Sequence, residues 1–334
     1  VCSSDLPPEP LNWLTNAAWI LAALYASFFL VSALYTPIVL FFALIIAIGA
    51  WGIRKGRAWS AFGLAIFTLA LFTISLVGMV EADPEHLRKL GMDRWFFVLP
   101  AALQLAFVLI LCLAGRRLWH SNPRGAPWGW LALSLPIFVF PFVARLFVIP
   151  TGAMEDTILI GDHLVVSRSS GSPPKRGDIV VFRYPIDRRQ TFIKRVVAIA
   201  GDHLRIERKQ LYLNGKPAAE PYVVHKTEYM DTYRDNFPSE PNVRLYDPAA
   251  EMLATAIVNG EVVVPQGKLF VMGDNRDSSL DSRYWGFLDT SDIIGRTLVV
   301  YFSVDLPTEK PRESPPQVLL HPSWIRWSRI GKTF

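Results

Sequence analysis

The 334-residue chain is 51% hydrophobic, with a positive mean hydropathy and a net charge of +5; this predicts about two domains, one of them in a membrane. Residues 1–148 hold ten Lys/Arg and six Asp/Glu against 24 and 23 in the remainder, so four of the five net positive charges fall in the apolar half. The near-neutral polar half argues against a nucleic-acid partner, and the two cysteines, Cys2 and Cys112, give no disulfide framework.

Residues 1–12, beginning VCSSDL, are set aside as an N-terminal tail. Five apolar stretches follow at 13–33, 37–53, 58–80, 95–115 and 128–148, each close to the ~20 residues a helix needs to cross ~30 Å of hydrocarbon. Residues 13–148 are therefore expected to be a multi-span α-helical membrane anchor of five transmembrane helices. Pro37 suits the start of the second, where its missing N–H costs nothing. Arg54, Lys55 and Arg57 follow the second stretch and Arg116, Arg117 and Arg124 the fourth, with no acid in either loop. Both loops and the N-terminus are then expected in the cytoplasm, and everything after residue 148 outside. Trp13, Trp51, Trp59, Trp95, Trp119, Trp128 and Trp130 fall near the stretch ends, as interfacial indoles do. Arg145 is the one charge inside a stretch, either a functional group or a side chain snorkelling to the interface. Asn16 and Gln104 are too few polar groups for an ion pathway.

From residue 149 the pattern changes to short β-branched and aromatic runs bounded by Gly, Pro, Asp and Asn, which predicts an all-β domain over 149–334. The runs are LVVSR at 164–168, DIVVFRY at 178–184, FIKRVVAIA at 192–200, HLRIE at 203–207, QLYLNG at 210–215, EVVVP at 261–265, KLFVMG at 268–273 and TLVVYFSV at 297–304. Only 248–256 reads as helical. The polar segment 222–259 is a functional insertion or a mobile loop. Six scattered histidines without ligand spacing argue against zinc, and no cofactor is expected.

Three strings carry chemistry: IPTGAMEDTILIGDHLVV from Ile149, FIKRVV around Lys194, and GDNRDSSLDSRYWG from Gly273 to Gly286. In this order, over roughly 147–334, they resemble the bacterial type I signal peptidases (leader peptidases), membrane-bound serine proteases with a serine–lysine dyad. The resemblance implies a signal-peptidase-like extracytoplasmic domain on the cytoplasmic membrane, with a variable cap inserted at about 203–268. Its partners would be the lipid bilayer and the signal peptides of exported precursors, cut where small side chains stand at the first and third positions before the bond. The family's nucleophilic serine falls on Ala153, and Lys194 takes the place of the general base. Thr151 and the residue-153 N–H match the oxyanion donors. Ser279 and Asp281 are the groups that orient the lysine and brace the site, with Arg283 as the ion-pair partner of Asp281.

The residues themselves support part of this. Alternation along the 192–199 run puts Lys194 on the apolar face with Phe192, Val196 and Ala198, and turns Arg195 the other way. A desolvated ammonium loses its proton near neutral pH, unless Lys194 lies at a strand edge with its head in water. Thr151, two residues before Ala153, is an oxyanion donor or a turn cap. Gly273, Asp274 and Asn275 read as turn residues. Met154, Ile158, Leu159 and Ile160 are core or lipid-facing. Residue 153 lies about five positions past the last apolar stretch, so a site there sits at the depth where a signal peptide's cleavage region emerges.

With Ala153 the chain is expected to be inactive or very weak as a signal peptidase. The accounts of Ala153 are a substitution made to trap substrate, a nucleophile moved to Thr151, a natural pseudoprotease, or an error in the sequence. A non-catalytic module that binds signal peptides or precursors is the alternative function. Self-cleaving repressor-like peptidases share the dyad but not the apolar half or the full third string.

Overall fold

The computed structural model describes residues 13–32, 39–81, 95–121, 143–168, 172–305 and 322–334, with residues 135 and 139. The chain divides into two compact units, residues 1–143 with 308–322 and residues 144–307 with 323–334.

The first unit contains α1 (Trp13–Ser32), α2 (Val39–Arg54), α3 (Ala58–Glu81) and α4 (Trp95–Ser121). Helix α1 packs on α2 and α4, and α3 on α2 and α4, around buried Ala18, Ala22, Ile46, Ala61, Leu64, Phe67 and Leu111. Small residues set the approach: a Cβ on Gly115 would lie 2.9 Å from the Phe62 ring.

The expected five-span membrane anchor is corrected here. Among the described residues no helix is long and apolar enough to cross a membrane. Helix α2 has 16 residues and so spans ~24 Å at ~1.5 Å per residue, short of the ~30 Å hydrocarbon layer. The fifth stretch fails differently. Most of 128–148 lies outside the described residues, but its end is the strand β1 (Ala144–Val148), which alternates in burial and pairs antiparallel with the next strand from Ala144↔Ser167 to Val148↔His163. An apolar run has no intrinsic preference for helix over strand; here a partner strand decides. Arg145, expected inside a span, sits on β1. The N-terminal tail, the loop at 82–94 and most of the loop after α4 lie outside the described residues.

The second unit is sheet-rich. The strands β2 (Asp162–Arg168), β3 (Ile179–Arg183), β4 (Thr191–Ile199), β10 (Lys268–Met272), β11 (Leu288–Asp289) and β12 (Ile293–Ser303) join β1 in an antiparallel sheet of order β1-β2-β12-β3-β4-β10-β11. A second sheet, β7-β6-β5-β9-β8, is built from β5 (His203–Glu207), β6 (Gln210–Leu213), β7 (Lys216–Pro217), β8 (Ile257–Val258) and β9 (Glu261–Val263). Alternation gives the large sheet two apolar faces. Ile179 and Val181 of β3 join Met154, Ile158, Leu164 and Val300 on one; Val180 and Phe182 join Val196, Val271 and Trp285 on the other. Helix α5 (Asp247–Thr255) packs through Met252 on the small sheet with Leu204, Leu211 and Phe237, in the region where the helical run was expected. The polar segment that precedes it is tied down. Val224 bridges Asn275, and Tyr233 Oη donates to the Arg283 carbonyl at 2.5 Å.

Candidate active site

Lys194 sits in the middle of β4, opposite Val180 of β3. Arg195 pairs with Met272 of β10, so one step further in the antiparallel register Lys194 faces Gly273, where β10 ends. Its side chain shares a face with Val180, Phe192 and Val196, and its Nζ stands 5.7 Å from the centre of the Phe192 ring. The residue is 4% exposed. Burial lowers its pKa to about 8; the nearby carboxylates of Asp281 and Asp274 hold it up, and Arg283 pushes it down. An amine of that basicity is partly free near neutral pH and can take a proton.

Gly273 also joins Lys194 to the turn containing Ala153. A Cβ on Gly273 would lie 2.4 Å from the Ala153 carbonyl oxygen and 2.3 Å from Ser279 Oγ, so only glycine lets the three segments meet. Asn275 fastens the same turn: its N–H donates to the Ala153 carbonyl at 3.2 Å and its Nδ2 to the Gly152 carbonyl at 3.1 Å. Ala153 itself is partly exposed, whereas Met154 and Ile158 just after it are core and Ile160 is surface. The Ala153 N–H makes no hydrogen bond among the described residues, which leaves a donor available beside residue 153. Thr151 is exposed.

Behind the lysine is a buried ionic network. A short helix, α6 (Ser282–Trp285), is capped by Asp281, whose carboxylate accepts from the Arg283 N–H at 3.3 Å. Arg283 grips Asp281 with Nε and Nη2, both at 2.8 Å, and its Nη2 also reaches the Arg276 carbonyl at 2.9 Å. Burial works against ionising Asp281, but the Arg283 charge and hydrogen bonds, with Lys194 and Ser279, hold its carboxyl below the usual range. Burial likewise opposes the Arg283 charge, yet Asp281 keeps its pKa raised. The Gly273 N–H is shared between Ser279 Oγ at 3.1 Å and Asp281 Oδ2 at 3.2 Å. The Ser279 hydroxyl is thus engaged with Gly273 and Asp281.

The structure brings Ala153, Lys194, Ser279, Asp281 and Arg283 into one neighbourhood and leaves Thr151 at its exposed rim. It also adds Asp274, read from sequence as a turn residue, Arg195, read as turned to the far face, and Tyr222, Arg276 and Glu220, which sequence reasoning did not single out. Arg195, on the opposite side of β4, forms a buried pair with Asp274 at 2.8 and 2.6 Å and stacks over Tyr222 at 3.8 Å. Arg276 is clamped on Glu220 and donates Nε to the Gly273 carbonyl at 3.1 Å. The only sequence signal for these was the density of charge in GDNRD directly after an apolar strand. Among the described residues there is no group of side chains suited to a metal ion.

The family model for signal peptidase, peptidase S26, matches residues 126–302. The chain belongs to that family. Among its similar relatives, the signal peptidase I of Aquifex aeolicus is 32% identical over 252 residues, covering 61% of this chain and 95% of that protein. A probable signal peptidase I-1 of Synechocystis is 33% identical over 201 residues, covering 55% and 88%. A crystal structure of a signal peptidase I from Enterococcus faecalis aligns at 30% identity over 38% of this chain and 98% of that one, with a TM-score of 0.28. The matched span includes Ala153, Lys194 and the whole 273–286 string, so the buried network described above lies inside the peptidase S26 domain.

Proposed function

We propose that this chain binds the signal peptides of exported precursors at residue 153, with Lys194 as the general base of the site, and that Ala153 stands at the nucleophile position and leaves cleavage negligible. The observation that carries this reading is the buried Lys194, its pKa lowered to about 8, facing a glycine whose Cα abuts the Ala153 carbonyl. A serine at 153 would pass its hydroxyl proton to the neutral Lys194 amine as its oxygen attacks the amide carbon. The resulting oxyanion would be received by the residue-153 N–H and Thr151. Lys194 would then give the proton to the leaving amine. A methyl group offers no attacking atom, and loss of a nucleophile costs ~10⁶ in kcat in a comparable serine protease. Asp281 and Arg283 keep the lysine in a fixed field, and Asn275 fixes the turn that presents residue 153.

The site works at the outer face of the cytoplasmic membrane. Supporting this, Val148, Ile160 and Trp327 expose 59%, 50% and 66% of their surface, and the Arg326 guanidinium binds the Ile160 carbonyl, which keeps Trp327 near that end of the unit. An amphipathic indole with exposed aliphatic neighbours suits a lipid interface.

The test is a model precursor incubated with the chain and with Ala153→Ser. The proposal expects precursor binding by both and cleavage by Ala153→Ser alone. Binding by both without cleavage by a folded Ala153→Ser would favour a pure precursor-binding module. Lys194-dependent cleavage by the unchanged chain would place the nucleophile elsewhere.

A further inference from the structure

A cavity of about 490 Å³ opens in the helical unit between α3 and α4, lined by Trp59, Phe62, Ile66, Arg116 and Trp119. Four of the five lining side chains are aromatic or aliphatic. The Trp59 and Trp119 rings meet edge to face at 5.0 Å, and Trp59 meets Phe62 in the same way at 5.9 Å. These contacts tie α3 to α4 and line a shallow slot that is open to the surface, with rings that lose little freedom when a ligand enters. The volume falls in the ~300–1,000 Å³ range of small-molecule sites.

One lining group is charged. Arg116 is exposed and has no carboxylate partner among the described residues. The same end of the unit carries Arg54, stacked 5.3 Å from Trp19, and Arg57, stacked 5.3 Å from Trp51. Across the described residues of α1–α4 the sole acid is Glu81, at the last position of α3. It lies ~34 Å along that helix from Ala58, at ~1.5 Å per residue. Among the described residues, then, no acid stands at this end of the unit, where the arginines lie beside the apolar slot.

We propose that this slot binds an anionic amphiphile, its hydrocarbon chain between Trp59, Phe62, Ile66 and Trp119 and its carboxylate or phosphate on Arg116. The apolar walls supply the non-directional part of the affinity. The guanidinium supplies the selection for an anionic head, which it can grip with two parallel N–H donors. Nothing in this site draws on the peptidase residues, so the proposal stands or falls apart from them.

Calorimetric titration of the full chain with decyl phosphate, decanol and inorganic phosphate, each below micelle-forming concentration, tests it. Decyl phosphate is expected to bind at one site, decanol ~10-fold more weakly, the scale of one charge-assisted contact, and inorganic phosphate without measurable heat. Arg116→Gln, a surface change that leaves the packing alone, should bring decyl phosphate down to the decanol level. Ile66→Trp, which fills the slot, should weaken both alkyl ligands. Decyl phosphate binding that is unchanged in both variants would mean adsorption on exposed apolar faces, and would overturn the proposal. So would decanol binding as tightly as decyl phosphate, or inorganic phosphate binding as tightly on its own.

Discussion

Replacing Arg283 by Met tests the buried network behind Lys194. Arg283 and Asp281 are 1% and 0% exposed, and the guanidinium gives the carboxylate two hydrogen bonds at 2.8 Å. Without Arg283 the Asp281 carboxylate keeps only the Gly273 and residue-283 N–H groups, Ser279 and the Lys194 charge. Leaving one member of such a pair uncompensated costs ~3–5 kcal/mol. The neighbouring backbone should feel it first, because β10 ends at the Gly273 N–H that Asp281 accepts. Amide hydrogen exchange of β4 and β10 reads that local opening, and a loss of this size accelerates exchange by ~10²-fold or more. Asp281→Asn combined with Arg283→Met should recover a good part of the loss, since neither member of the pair is then left charged without the other. If Arg283→Met speeds exchange at β4 and β10 by less than ~5-fold, or ~1 kcal/mol, the pair does not brace the site and the reasoning fails.

Three further outcomes are expected. Lys194 in the unfolded chain holds its proton to about 10.5 and in the folded chain only to about 8, so the unfolded chain binds more protons in between. Stability should rise by up to ~3 kcal/mol from pH 8 to pH 10.5, and the difference between the chain and Lys194→Met, followed by urea titration, should show that rise; a flat difference would mean a solvated lysine. Gly273→Ala drives a Cβ into the Ala153 carbonyl and Ser279, and is expected to cost ~1–3 kcal/mol and to abolish cleavage in an Ala153→Ser background, read as precursor turnover. Asp274→Asn strips the buried Arg195 of its counter-charge; a fall in thermal midpoint larger than that of the exposed Asp156→Asn is the expected calorimetric result.

The eight apolar runs of the C-terminal half were legible because alternation with Gly, Pro and Asn boundaries leaves few alternatives to strands, and all eight contain strand residues here. The burial of Lys194 was legible for the same reason: Phe192 and Val196 define its face. What the sequence hid was non-local. Arg195 and Asp274 are 79 residues apart, and only the β4–β10 register makes them partners, so GDN looked like a self-satisfied turn. Asn275 holds the Ala153 turn across 123 residues, a link with no local pattern. Residues 144–148 misled for the opposite reason. Composition gave an apolar run reaching Val148, while the alternating burial that makes it a strand depends on β2, whose pairing residues 163–167 come later in the chain.

The central claim is that Lys194 is the base for an oxygen placed on residue 153, and the pH profile of precursor cleavage by Ala153→Ser tests it most directly. Single-turnover cleavage should rise with pH through a single ionisation near 8, where Lys194 loses its proton, and should vanish when Lys194→Ala is added while the precursor still binds. A profile indifferent to pH between 6 and 9, or cleavage that survives Lys194→Ala, would contradict the account.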